Sequence, residues 1–204
     1  MYEKTRKMGL PPSDEGKKAV FFDRDGTLIR EKNYLKDPAG VELLEGAAEC
    51  LRALKERGFL IVIVSNQSGV ARGMMTEEDV RRVNARMLAL LRAAGAEADG
   101  VYYCPHHPAG SDPAYAKACD CRKPNTGMAL RAAEELGICL SDSYMVGDKE
   151  ADVLFGQNAG MRRSFLVLSG YGAKEREKIE GMAGAECAED LAAVCARIVA
   201  LGSR

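Results

Sequence analysis

The chain has 204 residues, which suits one domain large enough to bury a core without crosslinks. Its 29 Lys and Arg balance 30 Asp and Glu, which excludes a bulk field for nucleic acid or an anionic membrane, so any anion it binds must be held by local groups. No stretch approaches the length of a membrane-spanning helix, and Met1 to Lys18 is polar with no apolar core ahead of a cleavage site; a cytoplasmic protein is expected, whose seven Cys point to metal rather than disulfides.

Residues 1–16, with Pro11-Pro12-Ser13-Asp14-Glu15-Gly16, carry no periodic apolar pattern and are expected to form a flexible tail, leaving 17–204 as a single domain. From Lys17 on, apolar runs of strand length alternate with amphipathic stretches of helix length. That is the pattern of an α/β fold, a mostly parallel sheet with helices on both faces.

The first strand, Lys18 to Phe22, stops at Asp23-Arg24-Asp25-Gly26-Thr27, two carboxylates one residue apart followed by a Gly. A calcium loop is excluded, because counting from Asp23 puts Leu28 where the sharp-turn Gly belongs and Tyr34 where the bidentate Glu belongs. A plain Asp-Gly turn stays open at this point. The polar loop that follows makes Glu31, Lys32, Asn33 and Tyr34 candidate substrate contacts, with a solvated connector as the alternative. A helix from about Gly46 to Arg57 presents Ala47, Leu51 and Leu54 on one face and ends at Gly58.

Phe59 to Val64 is too apolar and β-branched for a surface strand and is expected in the centre of the sheet. Polar groups follow it, Ser65-Asn66-Gln67-Ser68, at the strand end where open α/β sheets bind ligands. A helix from Glu77 to Ala94 opens with Thr76 and Asp79 at capping-box spacing and closes at Gly95. The third strand, Gly100 to Tyr103, runs into Cys104-Pro105-His106-His107 and then Cys119-Asp120-Cys121. Cys104, His106, Cys119 and Cys121 match the donor set of a closed, tetrahedral structural zinc site, with loop 104–121 as its frame. Spacing alone leaves His107 as an alternative to His106.

Arg122-Lys123-Pro124 opens the next helix, which ends at Gly137; two cations at a helix start suit an anion, more so when tethered to a metal-stapled loop. The fourth strand, Ser143 to Val146, ends in Gly147-Asp148-Lys149, and Asp148 and Asp152 share a face if a helix starts there. The last strand is Ser164 to Leu168. A charged stretch, Lys174 to Glu180, precedes a packing helix carrying Leu191, Val194, Cys195, Ile198 and Leu201. Cys50, Cys139, Cys187 and Cys195 lie among apolar neighbours and are expected in the core.

Asp23-Arg24-Asp25-Gly26-Thr27, Ser65-Asn66-Gln67-Ser68, Lys123 and Gly147-Asp148-Lys149 resemble, in order, the four motifs of the haloacid dehalogenase superfamily. With the Cys/His loop and Arg122-Lys123-Pro124, the resemblance narrows to the zinc-loop branch of heptose 1,7-bisphosphate and histidinol phosphate phosphatases, over about Lys17 to Gly172. It implies a phosphatase with Asp23 as nucleophile forming an aspartyl phosphate, Asp25 as acid and base, and Ser65 and Lys123 stabilising the phosphoryl group. It further implies Mg²⁺ held by Asp23, Asp25 through its backbone carbonyl, and Asp148, besides the structural Zn²⁺. Glu31, Lys32, Asn33, Tyr34, Ser65, Asn66, Gln67, Ser68, Arg122, Lys123 and Lys149 would bind substrate, with Arg122 facing a second phosphate and Asp152 buttressing the site. The connections leave no room for a large cap domain. The implied reaction is removal of the 7-phosphate of D-glycero-D-manno-heptose 1,7-bisphosphate; alternatives are histidinol phosphate, a broad range of sugar phosphates, or a non-catalytic zinc-stapled phosphate-binding module. The partner is a small sugar bisphosphate, with no nucleic acid, no membrane and a monomeric chain.

Overall fold

Ala19-Val20-Phe21-Phe22 is buried at every residue, and a strand buried on both sides can sit only in the interior of a sheet covered by helices on each face. The computed structural model describes residues 16–202, and this run forms strand β1 (Ala19–Phe22) at the middle of a six-stranded sheet. The sequence expectation of a tail over residues 1–16 falls, but for Gly16, outside the described residues. β1 pairs in parallel with β2 (Leu60–Asn66) on one side and β4 (Tyr144–Gly147) on the other. β3 (Gly100–Cys104) follows outward from β2, and β5 (Arg163–Val167) and β6 (Ala185–Ala188) follow outward from β4, every pairing parallel.

The order β3-β2-β1-β4-β5-β6 reverses direction between β1 and β4. Loops leaving the carboxyl ends of those two strands diverge to opposite sides, and that opens a crevice. Asp23 and Asp148 are the first residues beyond β1 and β4, and the Asp23 N–H donates to the Val146 carbonyl at 2.8 Å. The position of both carboxylates therefore follows from strand order.

Helices α1 (Ala47–Glu56), α2 (Glu77–Ala93) and α6 (Leu191–Gly202) cover one face through Leu51, Leu54, Val83, Met87, Leu91, Leu191, Val194 and Ile198. Helices α3 (Gly127–Leu136) and α4 (Glu150–Asn158) cover the other, with Met128, Ala129, Ala132 and Phe155 against Phe21, Val62 and Met145. A short helix α5 (Gly172–Glu175) and a 3₁₀ turn (Arg176–Ile179) account for the charged stretch before α6. The expected capping box of α2 is formed: the Asp79 N–H donates to Thr76 Oγ1 at 3.1 Å and the Thr76 N–H to Asp79 Oδ2 at 2.8 Å.

Two sequence expectations are corrected. β6 is a sixth strand that the chain pattern did not indicate, because Ala185-Glu186-Cys187-Ala188 is a short edge strand buried only at Ala188. It carries Cys187 to the surface; Cys139 and Cys195 are half-buried, and of the four expected core cysteines only Cys50 is buried. Among the described residues no cap domain interrupts the fold: residues 23–46 hold a 3₁₀ turn (Pro38–Gly40) and isolated β-bridges, and residues 105–126 hold no helix or strand.

Candidate active site

Asp23 is 5 % exposed and its Oδ1 accepts from the Lys123 ammonium at 2.5 Å. Lys123 is as deeply buried, and all three of its protons are engaged: its Nζ also donates to the Val64 carbonyl at 2.8 Å and pairs with Asp152 Oδ1 at 2.7 Å. Asn66 fixes the backbone of that lysine, accepting its N–H at Oδ1 and donating Nδ2 to its carbonyl, each at 3.0 Å. A flexible amine thus becomes a fixed charge between two carboxylates. Burial works against that charge, but Asp152 and Asp23 raise the Lys123 pKa above its ordinary value.

Burial pushes the Asp23 carboxyl up to about 6, against the opposing pull of Lys123. Asp148, fully buried, is pushed to about 8, first by burial and then by the charge of Asp23. The Tyr171 N–H donates to Asp148 Oδ2 at 2.8 Å, and Ser169 Oγ ties the same segment to the Gly26 carbonyl at 2.7 Å. Gly26 and Gly170, both at positive φ, close around this carboxylate: a Cβ on either would lie 2.1 or 2.2 Å from Asp148 Oδ2.

The acidic cluster fits a cation. Asp23, Asp148 and Asp152 bring carboxylate oxygens within 4.8 Å of one another, and Asp23 Oδ2 and Asp148 Oδ1 are buried with no hydrogen-bond donor. Lys149 Nζ comes to 3.6 Å of Asp148 Oδ1, too far for a hydrogen bond. Buried carboxylate oxygens left without donors are what a hard divalent ion satisfies.

Asp25 faces the same cavity with its side chain 16 % exposed. Arg24 Nε donates to its Oδ2 at 3.0 Å and Nη2 to its Oδ1 at 3.1 Å, while Gln67 Nε2 donates to Oδ2 at 2.8 Å and to Ser65 Oγ at 2.5 Å. The cavity, about 300 Å³, is lined by Asp23, Asp25, Glu31, Asn33, Tyr34, Asn66, Gln67, Ser68, Arg122, Lys123 and Lys149, so most of the candidate residues converge on it. Lys32 does not line it; its ammonium pairs with Glu42 at 2.6 Å. Ser65 and Asp148, both buried, are not among the cavity's lining residues, and Ser65 reaches it through Gln67.

The far wall is tied across the crevice. Lys149 Nζ lies 4.6 Å over the Tyr171 ring and 3.4 Å from Glu31 Oε2, and the Tyr171 hydroxyl donates to Asn33 Oδ1 at 2.9 Å. Asn33 and Tyr34 both hold positive φ, an uncommon conformation for side chains with a Cβ. Tyr171 escaped sequence reasoning, since it lies beyond the last recognised motif. Asp152 joins the lysine rather than sharing a helical face with Asp148: α4 starts at Glu150, and Asp148 belongs to the strand end.

Beside the cavity, Cys104, His106, Cys119 and Cys121 bring their donor atoms within 4.8 Å of one another. Cys121 Sγ lies 3.1 Å from Cys104 Sγ, 3.3 Å from Cys119 Sγ and 3.4 Å from His106 Nδ1. The Cys121 thiol is drawn down to about 5, first by its hydrogen bond with Cys104 and, against burial, by those with His106 and Cys119. Three sulfurs and an imidazole with a thiolate among them suit a tetrahedral soft-metal site. His107 turns away, Nε2 3.3 Å from Arg72 and Nδ1 accepting from the Ala109 N–H at 3.1 Å. The Arg122 guanidinium, which lines the cavity, reaches the His106 carbonyl at 3.4 Å. The Cys/His loop and the cavity are thus adjacent.

A family described as HAD-hydrolase-like has a model that matches residues 120–194. The chain is 44 % identical over 154 residues to the D-glycero-beta-D-manno-heptose-1,7-bisphosphate 7-phosphatase of Pasteurella multocida, covering 76 % of this chain and 83 % of that protein. It is 41 % identical over 152 residues to the protein of the same name from Escherichia coli strain K12, covering 74 % and 80 %. The crystal structure of the D,D-heptose 1,7-bisphosphate phosphatase from B. bronchiseptica, complexed with magnesium and phosphate, superposes with a TM-score of 0.80 at 29 % identity, over 90 % of this chain and 99 % of that one.

Proposed function

We propose that this chain, which belongs to the haloacid dehalogenase-like hydrolases of the D-glycero-β-D-manno-heptose-1,7-bisphosphate 7-phosphatase family, removes the 7-phosphate of that sugar bisphosphate. The observation that carries this reading is the convergence of Asp23, Asp25, Lys123 and Asp148 at one crevice in a chain with this degree of identity.

Hydrolysis of a phosphate monoester needs an in-line nucleophile, a sink for negative charge and a proton for the departing oxygen. Asp23 attacks phosphorus with a carboxylate oxygen, while Lys123, donating to Oδ1, holds the carboxylate in place. The bond from phosphorus to the sugar oxygen breaks as the aspartyl phosphate forms, and Asp25 gives its proton to the leaving alkoxide. Asp25 then takes a proton from the water that attacks phosphorus, which returns Asp23 as carboxylate and frees phosphate. The Lys123 charge beside Asp23 offsets the charge of the transferring phosphoryl group, and Ser65, which accepts from Gln67, keeps its own hydroxyl proton to donate to it. Asp23, Asp148 and the Asp25 carbonyl would hold Mg²⁺, which when bound offsets the repulsion between nucleophile and phosphate dianion.

Arg122 and Lys149, the cations of the outer cavity, suit the second phosphate, with Glu31, Asn33, Tyr34 and Ser68 left to contact the sugar. The chain acts as a cytoplasmic monomer in this reading; among the described residues no helix is long and apolar enough to cross a membrane. The test is phosphate release across the heptose 1,7-bisphosphate, the heptose 7-phosphate and histidinol phosphate. The bisphosphate should lead histidinol phosphate by about 100-fold or more in kcat/KM, since two fixed cations would lose their partner. Equal rates on the two would refute the assignment.

Cys104, His106, Cys119 and Cys121 bind one structural Zn²⁺ in the same reading. Metal analysis should find about one zinc per chain. Stripping it should lower the melting temperature by about 10 °C and cut activity, because Arg122 and Lys123 follow Cys121 directly. A zinc-free chain with unchanged melting and turnover would dismiss the claim.

A further inference from the structure

Arg24 is the largest fully buried side chain of the described residues, 1 % exposed, and it lies between the two carboxylates of the acidic turn. A guanidinium taken out of water needs an acceptor on each edge. Asp25 fills two positions of the fork, from Nε and Nη2. The remaining nitrogen, Nη1, donates to Asn84 Oδ1 at 2.7 Å, across 60 residues of chain.

Asn84 belongs to α2, a helix whose buried side is otherwise apolar: Val80, Val83, Met87 and Leu91. It is 7 % exposed and does not line the cavity. Core packing would favour an aliphatic residue there, because an amide buried in a core is stabilising only where a polar partner meets it. The partner it meets is Arg24. Arg24 and Asp25 are chain neighbours, so their mutual hydrogen bonds can turn as a unit about the backbone. The bond to Asn84 anchors that unit to a rigid helix, and Gln67 Nε2 holds its other end at Asp25 Oδ2.

We propose that Asn84 is a positioning residue for the proton transfer: by holding Arg24 Nη1 it sets the plane of the guanidinium, and through it the aim of the Asp25 carboxyl at the departing oxygen. The inference rests on the phosphatase reading, with Asp25 as the acid.

Leaving-group chemistry separates this role from plain packing. A sugar alkoxide must be protonated as its bond to phosphorus breaks, whereas p-nitrophenolate departs as a stable anion and needs no proton. kcat/KM reports the steps up to that bond cleavage, so a misaimed Asp25 harms the first substrate and spares the second. Asn84→Leu, close in shape and without the acceptor, should lower kcat/KM for the heptose bisphosphate about tenfold or more while that for p-nitrophenyl phosphate stays within about twofold. Asn84→Asp, which keeps the acceptor oxygen, should bring the ratio of the two back to within about threefold of the parent.

Equal losses on both substrates, or an unchanged ratio, would overturn the proposal, as would an Asn84→Asp ratio as low as that of Asn84→Leu. If Asn84→Leu does not fold, Arg24→Lys keeps the charge without the fork and carries the same expected fall in ratio; an unchanged ratio there is equally fatal. Failure of the phosphatase reading has its own signature, a parent chain that releases phosphate from neither substrate, and it removes this inference too.

Discussion

Asp23→Asn should abolish turnover, with kcat lower by about 10⁴-fold or more, while the chain folds as before. The amide keeps the size of the carboxylate and can still accept from Lys123 through its oxygen, and Lys123 retains Asp152 at 2.7 Å. No cavity opens and no buried cation loses all its partners, so the melting temperature should move by only a few degrees. What is lost is the anionic nucleophile at the carboxyl end of β1. Asp25→Asn makes the complementary case. It should still form an acid-stable phosphoenzyme from p-nitrophenyl phosphate, whose leaving group needs no proton, and then stall, because nothing deprotonates the water. Turnover above about one per cent in Asp23→Asn, measured as steady phosphate release, would exclude the aspartyl phosphate.

How far the sequence foretold this arrangement differs from group to group. The buried parallel strands were legible because Phe59 to Val64 and Val20 to Phe22 are unbroken apolar runs, and such runs belong in a sheet covered on both faces. Helix ends were legible where chemistry fixes them, as with Thr76 and Asp79 before α2 and Gly137 after α3. β6 was not, since its stability comes from pairing with β5 rather than from its own residues. The convergence of Asp23, Asp25, Lys123 and Asp148 could be read from motifs at strand ends and, for Lys123, ahead of a helix. Partners joined across long stretches of chain could not: Asn84 to Arg24, Asp152 to Lys123 and Tyr171 to Asn33 carry no local signal. The same holds for Lys32, which a nearer carboxylate, Glu42, draws away from the cavity. The choice between His106 and His107 is likewise one of ring direction, which spacing does not encode.

Asp148→Asn should raise the stability of the Mg²⁺-free protein while removing its activity, because the same carboxylate serves the metal at the expense of the fold. Its pKa lies at about 8 in the folded chain and that of Asp23 at about 6, each above the value of about 3.9 for an unfolded Asp. A group that binds its proton more tightly when folded makes folding less favourable as pH rises, here from about pH 4 until Asp148 is ionised near pH 8. The Mg²⁺-free, zinc-replete protein should therefore lose melting temperature, about 10 °C, between pH 5 and pH 8. Added Mg²⁺ should restore it at pH 8 far more than at pH 5, since the ion binds the ionised carboxylates and displaces their protons. In Asp148→Asn the decline with pH should shrink, the melting temperature at pH 8 should rise by several degrees, and Mg²⁺ should no longer shift it. Activity in that variant should fall about 10³-fold or more, because the phosphate dianion would meet Asp23 with no divalent charge between them. A flat Mg²⁺-free melting profile over this pH range, or a variant less stable than the parent at pH 8, would show that the carboxylates are not held against their charge by burial, and the stabilising role assigned to the metal would fall with it.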